Sequence, residues 1–265
     1  MLMIRDLTVN WAKGIERVWK EDSAFQEVAL KAVLEEIRGV NNEELLDRDF
    51  NLMKEEGMFY VPNDEYMKEY FGGSVTEPGL GVYDRTGEYC MLYKRLVLPL
   101  RTLEGKVLGL CGYSNGNDED ERNFVKYLYP PKRVWNKDRW MYTTGEQFKK
   151  AIEEGYVFIV DGLFDQLRLR AEGYNAVSLG GTLLTDWHKI YLGFVKYKIV
   201  LPDNDDAGNR LVRECKRHLT NVTEWKQGKE WDIDDLLKSE EGRVMFNQVF
   251  EKASRNNFMI DYKIR

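Results

Sequence analysis

Apolar residues at Phe25, Val28, Ala29, Ala32, Val33 and Ile37 recur at three- and four-residue spacing with Glu and Lys between them, which predicts a helix. Asn41-Asn42 breaks that pattern and Glu43–Glu56 resumes it, so the first 56 residues read as helical. Pro62, Gly72-Gly73 and Pro78 then divide the chain into short elements, and Asp84-Arg85-Thr86-Gly87 is a turn between strands. The apolar runs Arg95–Leu100 and Lys106–Leu110 flank Leu103-Glu104-Gly105 and predict a β-hairpin. Ser114–Asn123 reads as a polar loop. From Thr144 the pattern alternates. Helix Thr144–Glu154 precedes strand Val157–Val160, helix Phe164–Glu172 precedes strand Ala176–Ser178, Thr182–Leu192 is helical, and strand Lys198–Leu201 leads into helix Ala207–Leu219. Alternation of this kind predicts an α/β fold with a mainly parallel sheet and flanking helices. The expected organisation is a mixed α+β subdomain over 1–145, an α/β domain over 146–240 and a C-terminal helical tail over 241–265.

Composition narrows the class. The chain has 265 residues, 43% hydrophobic and 32% charged, the profile of a soluble globular protein. No apolar run is long enough to span a bilayer, and the start MLMIRDLTVNWAK lacks a signal-like apolar core. Cys90, Cys111 and Cys215 form no C-x-x-C, and with His188 and His218 they complete no zinc pattern, so zinc is not expected and a reducing cytoplasm is the expected compartment.

The net charge of −6 argues at first against nucleic acid, but the charge is polarised along the chain. Residues 1–90 hold 10 Lys/Arg against 19 Asp/Glu, residues 91–150 hold 12 against 7, and residues 151–265 hold 17 against 19. The basic middle contains the acidic run Asp118–Glu121 and is rich in aromatics, among them Tyr93, Tyr113, Phe124, Tyr127, Tyr129, Trp135, Trp140 and Tyr142. Basic groups neutralise phosphates and aromatic faces stack on unpaired bases, while a solvated basic surface over core aromatics has the same composition.

Function in open α/β sheets gathers at the carboxyl ends of strands, and here those ends carry acid. Val160 runs into Asp161-Gly162-Leu163-Phe164-Asp165, and Leu201 runs into Asp203-Asn204-Asp205-Asp206-Ala207-Gly208. A third group follows at Trp231-Asp232-Ile233-Asp234-Asp235-Leu236-Leu237. Each taken alone is also a helix N-cap. Alternate residues of an extended D-x-D point to one side, and converging carboxylates repel unless a cation joins them. Oxygen ligands of this kind suit Mg²⁺ or Mn²⁺.

The order of these motifs resembles the toprim domain shared by DnaG-type primases, topoisomerases and some nucleases. Upstream, Arg95–Arg101 with Glu104–Gly109, and Lys126-Tyr127-Leu128 with Pro131, Trp135–Arg139 and Tyr142, resemble the segment that precedes toprim in the primases. The similarity spans about residues 85–240. It implies a DNA primase core, a nucleotidyltransferase that makes short RNA primers from nucleoside triphosphates on single-stranded DNA. The implied metal set is Asp161, Asp165, Asp203, Asp205, Asp232 and Asp234, holding two or more Mg²⁺ or Mn²⁺ ions, with Asp161, Asp203 and Asp205 catalytic. Arg95, Lys106, Lys126, Tyr127, Lys132, Lys137 and Arg139 are the implied contacts to DNA or nucleotide. Two features depart from the family. Its Glu is Asp161 here, and its zinc ribbon and a helicase phosphate-binding loop are missing, so the chain reads as a stand-alone, bacteriophage-like core with a replicative helicase as partner in trans and the host cytoplasm as its place. The competing readings are a metal-dependent toprim nuclease and a catalytically weakened DNA-binding or replisome subunit.

Overall fold

The computed structural model describes residues 9–114, 125–226 and 232–263. The acidic run Asp118–Glu121, Phe124, Trp231 and most of the loop Ser114–Asn123 therefore lie outside the described residues. Contacts divide the chain into two units, one of residues 1–102 and 106–135, the other of residues 103–105 and 136–265.

The first unit opens with α1 (Trp11–Glu21), α2 (Ser23–Ala32) continuing into a π turn (Val33–Ile37), and α3 (Glu43–Glu55). The break at Asn41-Asn42 is a cap: Asn42 accepts from the Leu45 amide at 3.1 Å, which satisfies one orphan donor of α3. Strands β1 (Phe59–Tyr60), β2 (Leu96–Arg101), β3 (Val107–Tyr113) and β4 (Tyr127–Leu128) form an antiparallel sheet in sequence order, with Leu98 opposite Cys111. This is the predicted hairpin, extended by one short strand on each side. Helix α4 (Tyr66–Phe71) and α1 bury Met67, Phe71 and Val18 against Phe59, Val97 and Leu110. Gln26 is fully buried because its amide is fully used: it accepts from the Tyr60 amide at 2.6 Å and donates to Tyr60 O and Tyr66 Oη.

The second unit is a five-stranded parallel sheet in the order β6-β5-β7-β8-β9. Its elements are α5 (Gly145–Glu154), β5 (Tyr156–Val160), α6 (Leu163–Ala171), β6 (Ala176–Ser178), α7 (Asp186–Leu192), β7 (Tyr197–Val200), α8 (Asp206–His218), β8 (Val222–Lys226), α9 (Ile233–Lys238), α10 (Glu240–Arg255) and β9 (Tyr262–Lys263). All five residues of β5 are buried because successive side chains enter different layers. Phe158 and Val160 pack with Leu169, Leu236 and Phe246, whereas Val157 and Ile159 pack with Phe148, Leu192 and Leu211.

Three sequence expectations change. The segment 136–142 folds with the second unit: Tyr142 bridges Ser178, and the carbonyls of Trp140 and Asp138 bond His188 and Thr185. Helix α7 begins only at Asp186, where Thr185 and His188 close a capping box, so the Gly180-Gly181-Thr182 stretch is loop. Residues 241–265 form no simple helical tail. Helix α10 sets Phe246 and Phe250 against Phe158, and the chain then returns as β9, pairing Tyr262 with Trp225. The cysteines are free and buried, Cys90 and Cys111 in the first unit and Cys215 in the second. Burial pushes the Cys215 thiol up to about 12. No helix among the described residues is long and apolar enough to cross a membrane.

Candidate metal centre

The strand order places the site. From β5 the chain moves to β6 on one side, then crosses to β7 on the other, so β5 and β7 are neighbours whose next connections diverge. A crevice opens at the carboxyl ends of such a pair. Ile159 is in register with Val200, which brings Asp161, two residues past Ile159, beside Asp203, three residues past Val200. Asp165 comes from the first turn of α6, where the helix dipole favours an acid. Carboxylate oxygens of Asp161, Asp165 and Asp203 all lie within 4.8 Å of one another, and all three residues are half-buried.

Local backbone chemistry holds them there. Ser178 Oγ donates to the Asp161 carbonyl at 2.8 Å and accepts from the Gly180 amide at 3.1 Å, tying β5 to the end of β6. A β-carbon on Gly162 would overlap the Asp165 carboxylate, which lies back against that backbone. Burial, then the charges of Asp232, Asp203, Asp234 and Asp161, push the Asp165 carboxyl well above the usual carboxylate range. Three carboxylates this close cannot all ionise without a compensating cation. The oxygen-only donor set and its spacing fit a hard divalent ion such as Mg²⁺ or Mn²⁺.

The other predicted acids differ. Asp205 is exposed and caps α8, accepting from the Gly208 amide at 2.7 Å. Asp232 is exposed at the cap of α9 and accepts from the Asp235 amide at 2.8 Å; its carboxyl is raised by desolvation and by Asp235 and Asp234. Asp234 is buried and ion-paired to Arg168 Nε at 3.0 Å and Lys238 Nζ at 2.9 Å. Arg168 and Lys238 were not foreseen. The available signals were an Arg three residues after Asp165 and a Lys four residues after Asp234, each spacing that of one helix face.

The predicted basic contacts separate by burial. Arg95 is 1% exposed and donates to the Val125 carbonyl at 2.8 Å, so its guanidinium is used inside the first unit and offers no surface to a phosphate. Lys106, Lys126 and Lys132 are exposed on that unit, with the Lys126 ammonium 5.9 Å from the Tyr127 ring centre. Tyr127 is half-buried between Tyr113 and Tyr129, and Trp135 is core, stacked on Tyr129 with centroids 5.0 Å apart. Lys137 and Arg139 are exposed on the second unit. Lys137 lines a cavity of about 300 Å³ with Leu179, Gly181, Thr182 and His188.

Residues 158–237 match the family model described as Toprim-like. Over 145 residues, 54% of this chain and 27% of the relative, the sequence is 32% identical to the DNA primase of Aquifex aeolicus. Over 211 residues, 74% of this chain and 36% of the relative, it is 26% identical to the DNA primase of Escherichia coli K12. The chain thus spans about a quarter to a third of the length of these curated relatives. The fold is similar to the RNA polymerase domain of Mycobacterium tuberculosis primase DnaG, with a TM-score of 0.64 at 19% identity over 93% of this chain and 87% of that one. It is equally similar to a DnaG primase catalytic domain solved with single-stranded DNA, with a TM-score of 0.63 at 21% identity over 86% of this chain and 80% of that one. Residues around the three-aspartate cluster thus match a Toprim-like family model, and the similarity continues upstream into DNA primases, so over this region the chain is similar to the catalytic core of DnaG-type primases.

Proposed function

We propose that this chain synthesises short RNA primers from nucleoside triphosphates on a single-stranded DNA template. The observation that carries the reading is the convergence of Asp161, Asp165 and Asp203 at the carboxyl ends of β5 and β7, in a chain whose relatives are DNA primases. These three residues would hold a divalent ion, Mg²⁺ or Mn²⁺, which when bound offsets triphosphate charge and aligns an in-line displacement. Asp205, anchored through one oxygen by the Gly208 amide, stands two residues from Asp203 and can share in that set. Asp161 is also the candidate to accept the proton of the attacking 3′-hydroxyl. Lys137 and Arg139 would take the triphosphate, with the cavity beside Lys137 and Gly181 receiving it. Lys106, Lys126 and Lys132 would track the template phosphates, and the exposed edge of Tyr127 would meet a base. Arg95 is left out of this set because it is buried. A replicative helicase in trans, and the cytoplasm of a bacterial host, complete the proposal.

The test is incubation with labelled ribonucleoside triphosphates and defined single-stranded templates in Mg²⁺ or Mn²⁺. Extended products that vanish in Asp203→Asn, with the fold retained, are expected. Shortened template with no extension would assign a nuclease instead. Neither outcome, with DNA still bound, would leave a binding subunit.

A further inference from the structure

The protein treats the charge of its acids in two different ways. At the three-aspartate cluster, carboxylate oxygens of Asp161, Asp165 and Asp203 lie within 4.8 Å of one another. At Asp234 the charge is already met. Its Oδ1 receives Arg168 Nε and its Oδ2 receives Lys238 Nζ, and Asp234 is only 3% exposed. Arg168 is buried as well, and it stands on α6 three residues beyond Asp165, on the same side of that helix. Lys238 also reaches Asp235 at 2.7 Å. A metal ion taking Asp234 would have to displace one of these cations. For Arg168 that would break a buried ion pair, which is costly.

We infer that the Arg168–Asp234–Lys238 group is a resident positive charge standing in place of a second divalent cation. The chain by itself therefore takes up one Mg²⁺ or Mn²⁺, on Asp161, Asp165 and Asp203. Asp234 and Arg168 are positioning residues: their pair fastens α9, and with it the cap residue Asp232, to α6. This inference rests on the metal site proposed above.

Mn²⁺ alone is the probe, with bound ion counted by electron paramagnetic resonance and affinity measured by calorimetry on the full chain. One ion per chain is expected. Asp234→Asn should leave its Kd within about twofold while lowering the melting temperature; Asp203→Asn should weaken binding by about tenfold or more, the scale of lost metal-site groups. The Arg168→Ala/Lys238→Ala variant, if folded, should gain a second ion on Asp232, Asp234 and Asp235, whose oxygens lie within 4.8 Å of one another. Two ions in the unaltered chain, a loss in Asp234→Asn equal to that in Asp203→Asn, or a folded double variant that still holds one ion would overturn the inference. Should Asp234→Asn fail to fold, the apolar replacement Arg168→Met/Asp234→Leu removes the pair without stranding a charge, and it must keep the one ion. Absence of any Mn²⁺ binding to the unaltered chain would instead defeat the metal reading beneath it.

Discussion

Gly208 lies against the backbone of Asp203: a β-carbon on residue 208 would sit 2.7 Å from the Asp203 nitrogen and 3.0 Å from its carbonyl carbon. The same glycine donates its amide to Asp205, so one residue without a side chain fixes both acids of the loop after β7. Gly208→Ala should cost about 1–3 kcal/mol, the range for overpacking a tight site, and should weaken Mn²⁺ binding by moving Asp203. Thermal unfolding and Mn²⁺ titration check this together; an alanine variant matching the original in both would show that the close approach is dispensable.

Asp161 stands where the resemblance to primases implies Glu, yet its carboxylate already reaches the other two acids within 4.8 Å. An added methylene would carry the carboxylate about 1.5 Å further. Asp161→Glu should therefore overshoot the cluster and lower the proposed primer synthesis by about 10- to 100-fold, the cost of an ångström-scale misplacement. A faster enzyme would mean that the aspartate is a weakened form of the family site.

Capping and metal binding can be separated at Asp205. Asparagine keeps a side-chain oxygen for the Gly208 amide, whereas alanine loses the cap at about 1 kcal/mol. Asp205→Asn should melt as the original does and Asp205→Ala lower. If Asp205 shares in the metal set, both variants should reduce Mn²⁺ affinity alike. Full affinity in Asp205→Asn would confine this residue to its cap.

The raised Asp165 carboxyl gives stability a definite pH dependence. Its folded-state value lies above the unfolded one, near 4 for an ordinary Asp, so its contribution is fully present below about pH 4 and is lost as pH rises through the raised value. The metal-free chain at neutral pH should thus be less stable than Asp165→Asn, by several degrees in Tm, and the gap should close on acidification. Added Mn²⁺ should reverse the order at neutral pH by stabilising only the chain that retains Asp165. A variant no more stable than the original in chelator at pH 7 would remove the charge crowding.

Much of this architecture was legible because strong periodicities carried it. The alternation beyond Thr144 marked β5, β6 and β7 within a residue or so, and the acids at their ends lie where an open parallel sheet places a crevice. Ligand count was not legible. Asp203, Asp205, Asp232 and Asp234 look equivalent as letters, but burial separates them into a cluster member, two caps and one half of an ion pair. Arg95 was misread for the related reason that a basic residue beside apolar neighbours can face either way, and here it faces Val125. The fifth strand escaped notice because a two-residue element has no period, and its place depends on Trp225 and α10 rather than on local propensity.

The three buried thiols make the molecule its own recorder of unfolding. A folded chain should resist a thiol-alkylating reagent, since the thiolate is the reactive form and none of the three side chains reaches solvent. Modification then reports only the moments when structure opens. Because Cys215 belongs to the sheet unit and Cys90 and Cys111 to the meander unit, mass spectrometry of the tagged positions would time the opening of each separately. Mn²⁺ should slow tagging at Cys215.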